Sequence, residues 1–113
     1  MKDFKLTITN GNTTSSISPA LDSDRGCYVI AAIESPTGLT ANTGQFEMSD
    51  SASGPWVAVQ DSYGTIESFP VTADRVTVLR PASFYFIKPH VRLKLNSAVT
   101  ADRVFTVYLR KVD

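Results

Sequence analysis

Apolar and basic side chains take turns in Val91-Arg92-Leu93-Lys94-Leu95, and a β-branched and aromatic run follows in Val104-Phe105-Thr106-Val107-Tyr108-Leu109. A period of two gives each segment one face for a core and one for water or a partner. A helix places neighbours 100° apart and cannot sort residues that way. The pattern therefore predicts strands over 90–95 and 104–112. The same reading upstream places Phe4, Leu6 and Ile8 on one face of a strand over 4–9. The apolar run 28–33 reads as a central strand. Shorter strands are expected over 45–49, with Phe46 and Met48 facing one way, and over 56–59, 65–71, 75–79 and 84–87. The strand over 65–71 contains Pro70, which marks an edge or a bend.

Turn residues separate these segments. Asn10-Gly11-Asn12, Ser35-Pro36-Thr37-Gly38, Asn42-Thr43-Gly44, the stretch from Asp50 to Pro55, and Asp61-Ser62-Tyr63-Gly64 all read as turns. Residues 13–26 are polar and irregular, with Ile17 and Leu21 as the large apolar anchors and 13–16 as the most flexible-looking part. Residues 1–26 read either as a first strand plus a loop or as an arm that packs on a neighbour. No window carries a 3.6-residue apolar stripe. Eight or nine short, regularly spaced strands predict an all-β, two-sheet antiparallel β-sandwich over 1–113 as one domain.

Composition narrows the functional classes. A chain of 113 residues is near the commonest domain size and long enough to bury a core without staples. Its 11 basic and 11 acidic residues cancel. That balance argues against broad nucleic-acid binding and leaves little self-repulsion to oppose association. A single cysteine, Cys27, excludes an internal disulfide and reads as a small buried thiol. The N-terminus lacks the apolar stretch of a signal peptide, and no run is long enough for a membrane helix, so the expectation is a soluble, cytoplasmically made protein with no membrane partner.

Candidate chemistry is sparse. One histidine, His90, lies among cations, a poor place for the imidazolium that a general base becomes, and no Gly-x-Ser-x-Gly elbow exists. One His and one Cys cannot build a structural zinc site. Asp22-Ser23-Asp24 resembles the start of a calcium loop, but no Gly and no bidentate Glu follow at the needed spacing. Glu34, Glu47 and Glu67 lack any flanking pattern that singles out a catalytic pair, and the glycines are scattered among turns rather than gathered in a phosphate loop. The expectation is no enzyme, no cofactor and no metal.

Two surface features remain. Lys88, His90, Arg92 and Lys94 share one strand face and form a basic row suited to an acidic partner surface, or simply a solvated outer face. The aromatic set Trp56, Tyr63, Phe69, Phe84, Tyr85 and Phe86 must divide between core and surface. Trp56 reads as core rather than as an exposed platform, because Val57 and Val59 follow it.

The block Phe46-Glu47-Met48-Ser49-Asp50-Ser51, then Gly54-Pro55-Trp56-Val57-Ala58-Val59 and Asp61-Ser62-Tyr63-Gly64, carries a familiar spacing. Leu79-Arg80-Pro81-Ala82-Ser83-Phe84, Val91-Arg92-Leu93 and Phe105-Thr106-Val107-Tyr108-Leu109-Arg110 extend it over roughly 27–112. Together they resemble the decoration or cement proteins of tailed-phage heads, built on a jelly-roll sandwich. The resemblance implies a non-enzymatic virion protein on the capsid surface, made in the host cytoplasm. It implies the major capsid protein and further copies of the chain as partners, with Lys88, His90, Arg92 and Lys94 and the N-terminal segment as contact candidates. Discoidin-like sugar-binding sandwiches share a similar Phe-x-x-Ser … Gly-x-Trp spacing, which leaves a carbohydrate-binding module of a tail or receptor-binding apparatus as the rival.

Overall fold

The structure, a computed structural model, describes residues 3–20, 27–60, 62–79 and 88–112; the side chains at 27, 28, 111 and 112 lie outside that description. The protein is an all-β sandwich of two antiparallel sheets, with no helix among the described residues. Eight strands follow in order: β1 (Asp3–Ile8), β2 (Cys27–Glu34), β3 (Thr43–Ser49), β4 (Val57–Ala58), β5 (Ser68–Pro70), β6 (Val76–Val78), β7 (His90–Leu95) and β8 (Arg103–Val112). The first sheet runs β1-β8-β2-β6. In the second, β3 is central, with β4 and β5 along one edge and β7 along the other.

Period-two burial drives this arrangement. Phe4, Leu6 and Ile8 from β1, Phe105 and Val107 from β8, Phe46 and Met48 from β3, and Val91, Leu93 and Leu95 from β7 all meet in one core cluster. The intervening residues face out. Alternation slips in β2, where a register shift between Ile30 and Ala32 lets Val29, Ile30 and Ile33 all be buried, and at the end of β3, where Met48 and Ser49 are both buried. Gly44, expected in a turn, lies buried inside β3. A Cβ there would come within 3.0 Å of Phe69, 3.2 Å of Leu93 and 3.3 Å of Val71, so the position has room for hydrogen alone.

The polar stretch 13–18 is neither loose nor anchored by Ile17, which is 40% exposed. It runs antiparallel to β7 with Thr14 opposite Lys94, and it borders β1 on its other side. Three serines do the joining. Ser15 donates its N–H to the Leu93 carbonyl (2.9 Å) while its Oγ accepts the Leu93 N–H (2.9 Å). Ser18 clasps Val91 in the same two-handed way, at 2.9 and 3.0 Å. Ser16 does so for Thr7 of β1, at 2.8 and 3.0 Å. At these three residues the opposing amide is met by the serine hydroxyl rather than by a backbone carbonyl of the segment. The Thr13 carbonyl accepts the Leu95 N–H, so these donors at both margins are met.

The pairs consequently nest along the chain: β1 with β8, residues 13–18 with β7, β2 with β6, and β3 with β4 and β5. Among the described residues, the opposite side of the sandwich is joined less fully. There Thr77 Oγ1 donates to the Pro70 carbonyl (2.8 Å), and a cleft of about 350 Å³ lies between β5 and β6.

Several elements are shorter than the sequence suggests. The strand expected over 65–71 reduces to β5, that over 56–59 to β4, and that over 75–79 to β6. The strand expected over 84–87, the aromatics Phe84, Tyr85 and Phe86, the Cys27 side chain, Leu21 and the Asp22–Asp24 pair lie outside the described residues.

Removing a hydroxyl from the serine seam leaves a donor without its acceptor, and the cost depends on whether water can replace it. Ser18 is 4% exposed and Ser16 is exposed. Ser18→Ala is expected to lower the unfolding free energy by about 1–3 kcal/mol, and Ser16→Ala by well under that. Urea melts of the two variants measure the difference; equal, negligible losses would contradict the role given to the seam.

Candidate functional site

The four basic positions lie on the outer face of the second sheet, opposite the buried Val91, Leu93 and Leu95. Register decides their neighbours. β7 pairs with β3 so that Lys94 stands opposite Gln45, Arg92 opposite Glu47, and His90 opposite Ser49. Lys88 precedes the strand and reaches back to the loop after β3.

Arg92 is the fixed centre of this face. Its Nε lies 2.7 Å from Glu47 Oε1, with the two side chains 27% and 12% exposed. Its guanidinium carbon sits 4.5 Å from the centroid of the Trp56 ring. Trp56 is therefore not core, as the valines after it suggest, but half-buried on the outer face. Two observations explain this. Ala58, two residues on, pairs with Glu47, which puts Trp56 on the same side of the sheet as Glu47. The guanidinium then covers indole surface that would otherwise meet water. Tyr63 is 93% exposed on its turn, whereas Phe69 is buried and packs against Phe46 with ring centroids 5.0 Å apart and planes tilted by 38°.

Charge on this face is largely answered from within. Lys88 Nζ lies 2.9 Å from Asp50 Oδ2. Arg92 has Glu47. Lys94 is exposed and makes no ion pair among the described residues. His90 is half-buried, and its buried Nδ1 has no hydrogen-bond partner among them. The basic row is thus one face, as periodicity suggests, but not a bare cationic stripe. Glu47 and Asp50 escape a sequence reading because their pairing is set by strand register, across 45 and 38 residues of chain. Glu47's in-phase position with Gln45 in β3 is the one local hint.

Beside Lys94 the face dips into a cleft of about 170 Å³, lined by Thr43, Gly44, Gln45, Leu95 and Asn96 as well. Asn96 braces its rim: its Oδ1 accepts the N–H groups of Asn42 and Thr43, both at 3.2 Å.

The outer face of the first sheet is organised differently. The Tyr108 hydroxyl donates to Glu34 Oε1, and Lys5 Nζ donates to Thr106 Oγ1 at 3.0 Å. The hydrogen bond to the Glu34 carboxylate holds the Tyr108 proton and raises its pKa above 10.0, with desolvation and the negative charges of Glu34 and Asp3 adding to the shift. No group of three or more His, Cys, Asp or Glu gathers to hold a metal ion among the described residues.

Trp56 is the single tryptophan, so its emission reports this face alone. A cross-strand ion pair and a cation–π contact at a partly exposed site together contribute about 1–2 kcal/mol. Arg92→Ala is expected to lower stability by about that amount and to shift Trp56 emission to longer wavelength, as the uncovered ring meets water. Unchanged emission and an unchanged urea midpoint would show that the guanidinium does not hold the ring.

The chain matches no protein-family model, and no curated protein matches it in sequence.

Proposed function

We propose that this chain is a non-enzymatic structural protein of a phage virion that decorates or cements the capsid by bridging neighbouring capsid subunits. The observation that carries the reading is the outer face of the second sheet. There Glu47 holds Arg92, Asp50 pairs with Lys88, the Arg92 guanidinium covers the Trp56 ring, and Lys94 stands exposed beside them. A contact surface fixed before binding loses little side-chain freedom on docking, and Trp and Arg are the residues that most often anchor protein interfaces.

The order of neighbouring strands supports the finer, jelly-roll reading. The nested pairs β1·β8, 13–18·β7, β2·β6 and β3·β4/β5 are what a long folded ribbon wrapped into two sheets produces, and viral capsid domains use that architecture. On this reading the major capsid protein is the partner, and attachment at many lattice points replaces strong single sites. Balanced charge fits a protein partner better than nucleic acid. Lys88, His90, Arg92 and Lys94 remain the proposed contact residues, with Trp56 now added to them.

One observation favours a second reading. Trp56 lies on a polar outer face rather than in the core, which a carbohydrate-binding module of a tail or receptor-binding apparatus would also require.

Co-sedimentation with empty phage heads stripped of decoration proteins, run beside a glycan array, separates the two. The capsid reading expects saturable binding to heads. It also expects weaker occupancy for the triple reversal Lys88→Glu, Arg92→Glu and Lys94→Glu, and for Lys94→Glu alone at unchanged melting temperature. Unaltered occupancy in both variants would remove this face from the proposal. Glycan binding abolished by Trp56→Ala, with no attachment to heads, would replace the capsid reading by the second.

A further inference from the structure

The serine seam closes one side of the sandwich, and on the other side the outer margin of β6 pairs with no strand among the described residues. Antiparallel pairing with β2 makes this specific. The Leu79 N–H donates to the Ala31 carbonyl and the Ser35 N–H to the Arg75 carbonyl, both at 2.9 Å, with Thr77 opposite Ile33 between them. Residues 75, 77 and 79 therefore turn toward β2. Val76 and Val78, in the alternate positions, turn their N–H and C=O groups outward. Those four groups have no backbone partner among the described residues. Their side chains are also uncovered, at 54% and 82% exposure. Protected edges carry lysine, proline, an inward charge or a covering segment; Val76-Thr77-Val78 carries none of the first three.

We propose that β6 is a self-pairing edge, which joins two copies of the chain across a two-fold axis at Thr77 into one continuous eight-stranded sheet. The register follows from the alternation. With Thr77 opposite its own counterpart, Val76 faces Val78 of the second copy, and each such pair exchanges two hydrogen bonds. All four outward groups on each copy are then satisfied, and the exposed valines meet as two cross-strand pairs. The same register sets Arg75 opposite Leu79 of the second copy. The net charge of zero adds no repulsion. Three residues of edge make a small interface, so the dimer is weak and concentration-dependent. The inference rests on the edge alone and stands whether or not the capsid reading does.

Sedimentation equilibrium across the micromolar to millimolar range tests it. The expected result is a rise from 12.3 kDa toward twice that mass. Val78→Pro removes an outward donor and leaves the bonds to β2 intact, so it is expected to weaken association at least tenfold with an unchanged urea midpoint. Register is tested in a Cys27→Ser background. Thr77→Cys is expected to oxidise readily to a disulfide-linked dimer, because facing non-hydrogen-bonded positions lie about 4.5 Å apart at Cα. Val78→Cys, offset from its own copy, is expected to cross-link much more slowly. A chain that stays monomeric at millimolar concentration, a Val78→Pro variant that folds and dimerises as before, or equal cross-linking of the two cysteine variants would each overturn the proposal.

Discussion

Backbone N–H and C=O groups along the margin of a buried sheet have to find partners, and residues 13–18 meet that demand for both sheets on one side. The solution is chemical as much as geometric. Ser15, Ser16 and Ser18 each use an amide and a hydroxyl to satisfy the carbonyl and amide of one opposite residue. A threonine-and-serine stretch with almost no apolar content can therefore belong to the folded core's boundary. The sandwich acquires a closed side, and its two outer faces and its other margin are left to meet the surroundings.

That closure positions the surface on which the functional reading depends. β7 is held between β3 and the serine segment, so the orientation of its outward residues is fixed from both flanks. Arg92 then meets Glu47 and Trp56 without freedom to swing away, and the face is set before any partner arrives. The molecule is thereby asymmetric in a useful sense. One outer face is charged and aromatic and internally braced. The margin farthest from the seam ends in the β6 edge, which pairs with no further strand among the described residues.

Much of the fold was legible in the sequence because burial on one side of a strand imposes period two, and period two is visible residue by residue. Phe4, Leu6 and Ile8, or Val91, Leu93 and Leu95, announce their face without reference to anything distant. The basic row was legible for the same reason. What stayed hidden depends on register between remote segments. Beyond the phase of Glu47 in its strand, nothing near Glu47 or Asp50 signals that Arg92 and Lys88 will pair with them. Trp56 reads as core because the valines that follow it imitate a core strand, while its position is set by the pairing of Ala58 with Glu47. The serine stretch reads as flexible because hydroxyls that accept ladder amides have, in a sequence, the composition of a loop.

Native-state hydrogen exchange of individual backbone amides tests the seam most directly, since it reads each donor by itself. If residues 13–18 close both margins, the amides of Thr7, Val91, Leu93 and Leu95 exchange as slowly as interior amides of β8 such as Phe105 and Val107. Exchange of those four at the rate of exposed loop amides, in a chain whose β8 amides remain protected, would contradict the account.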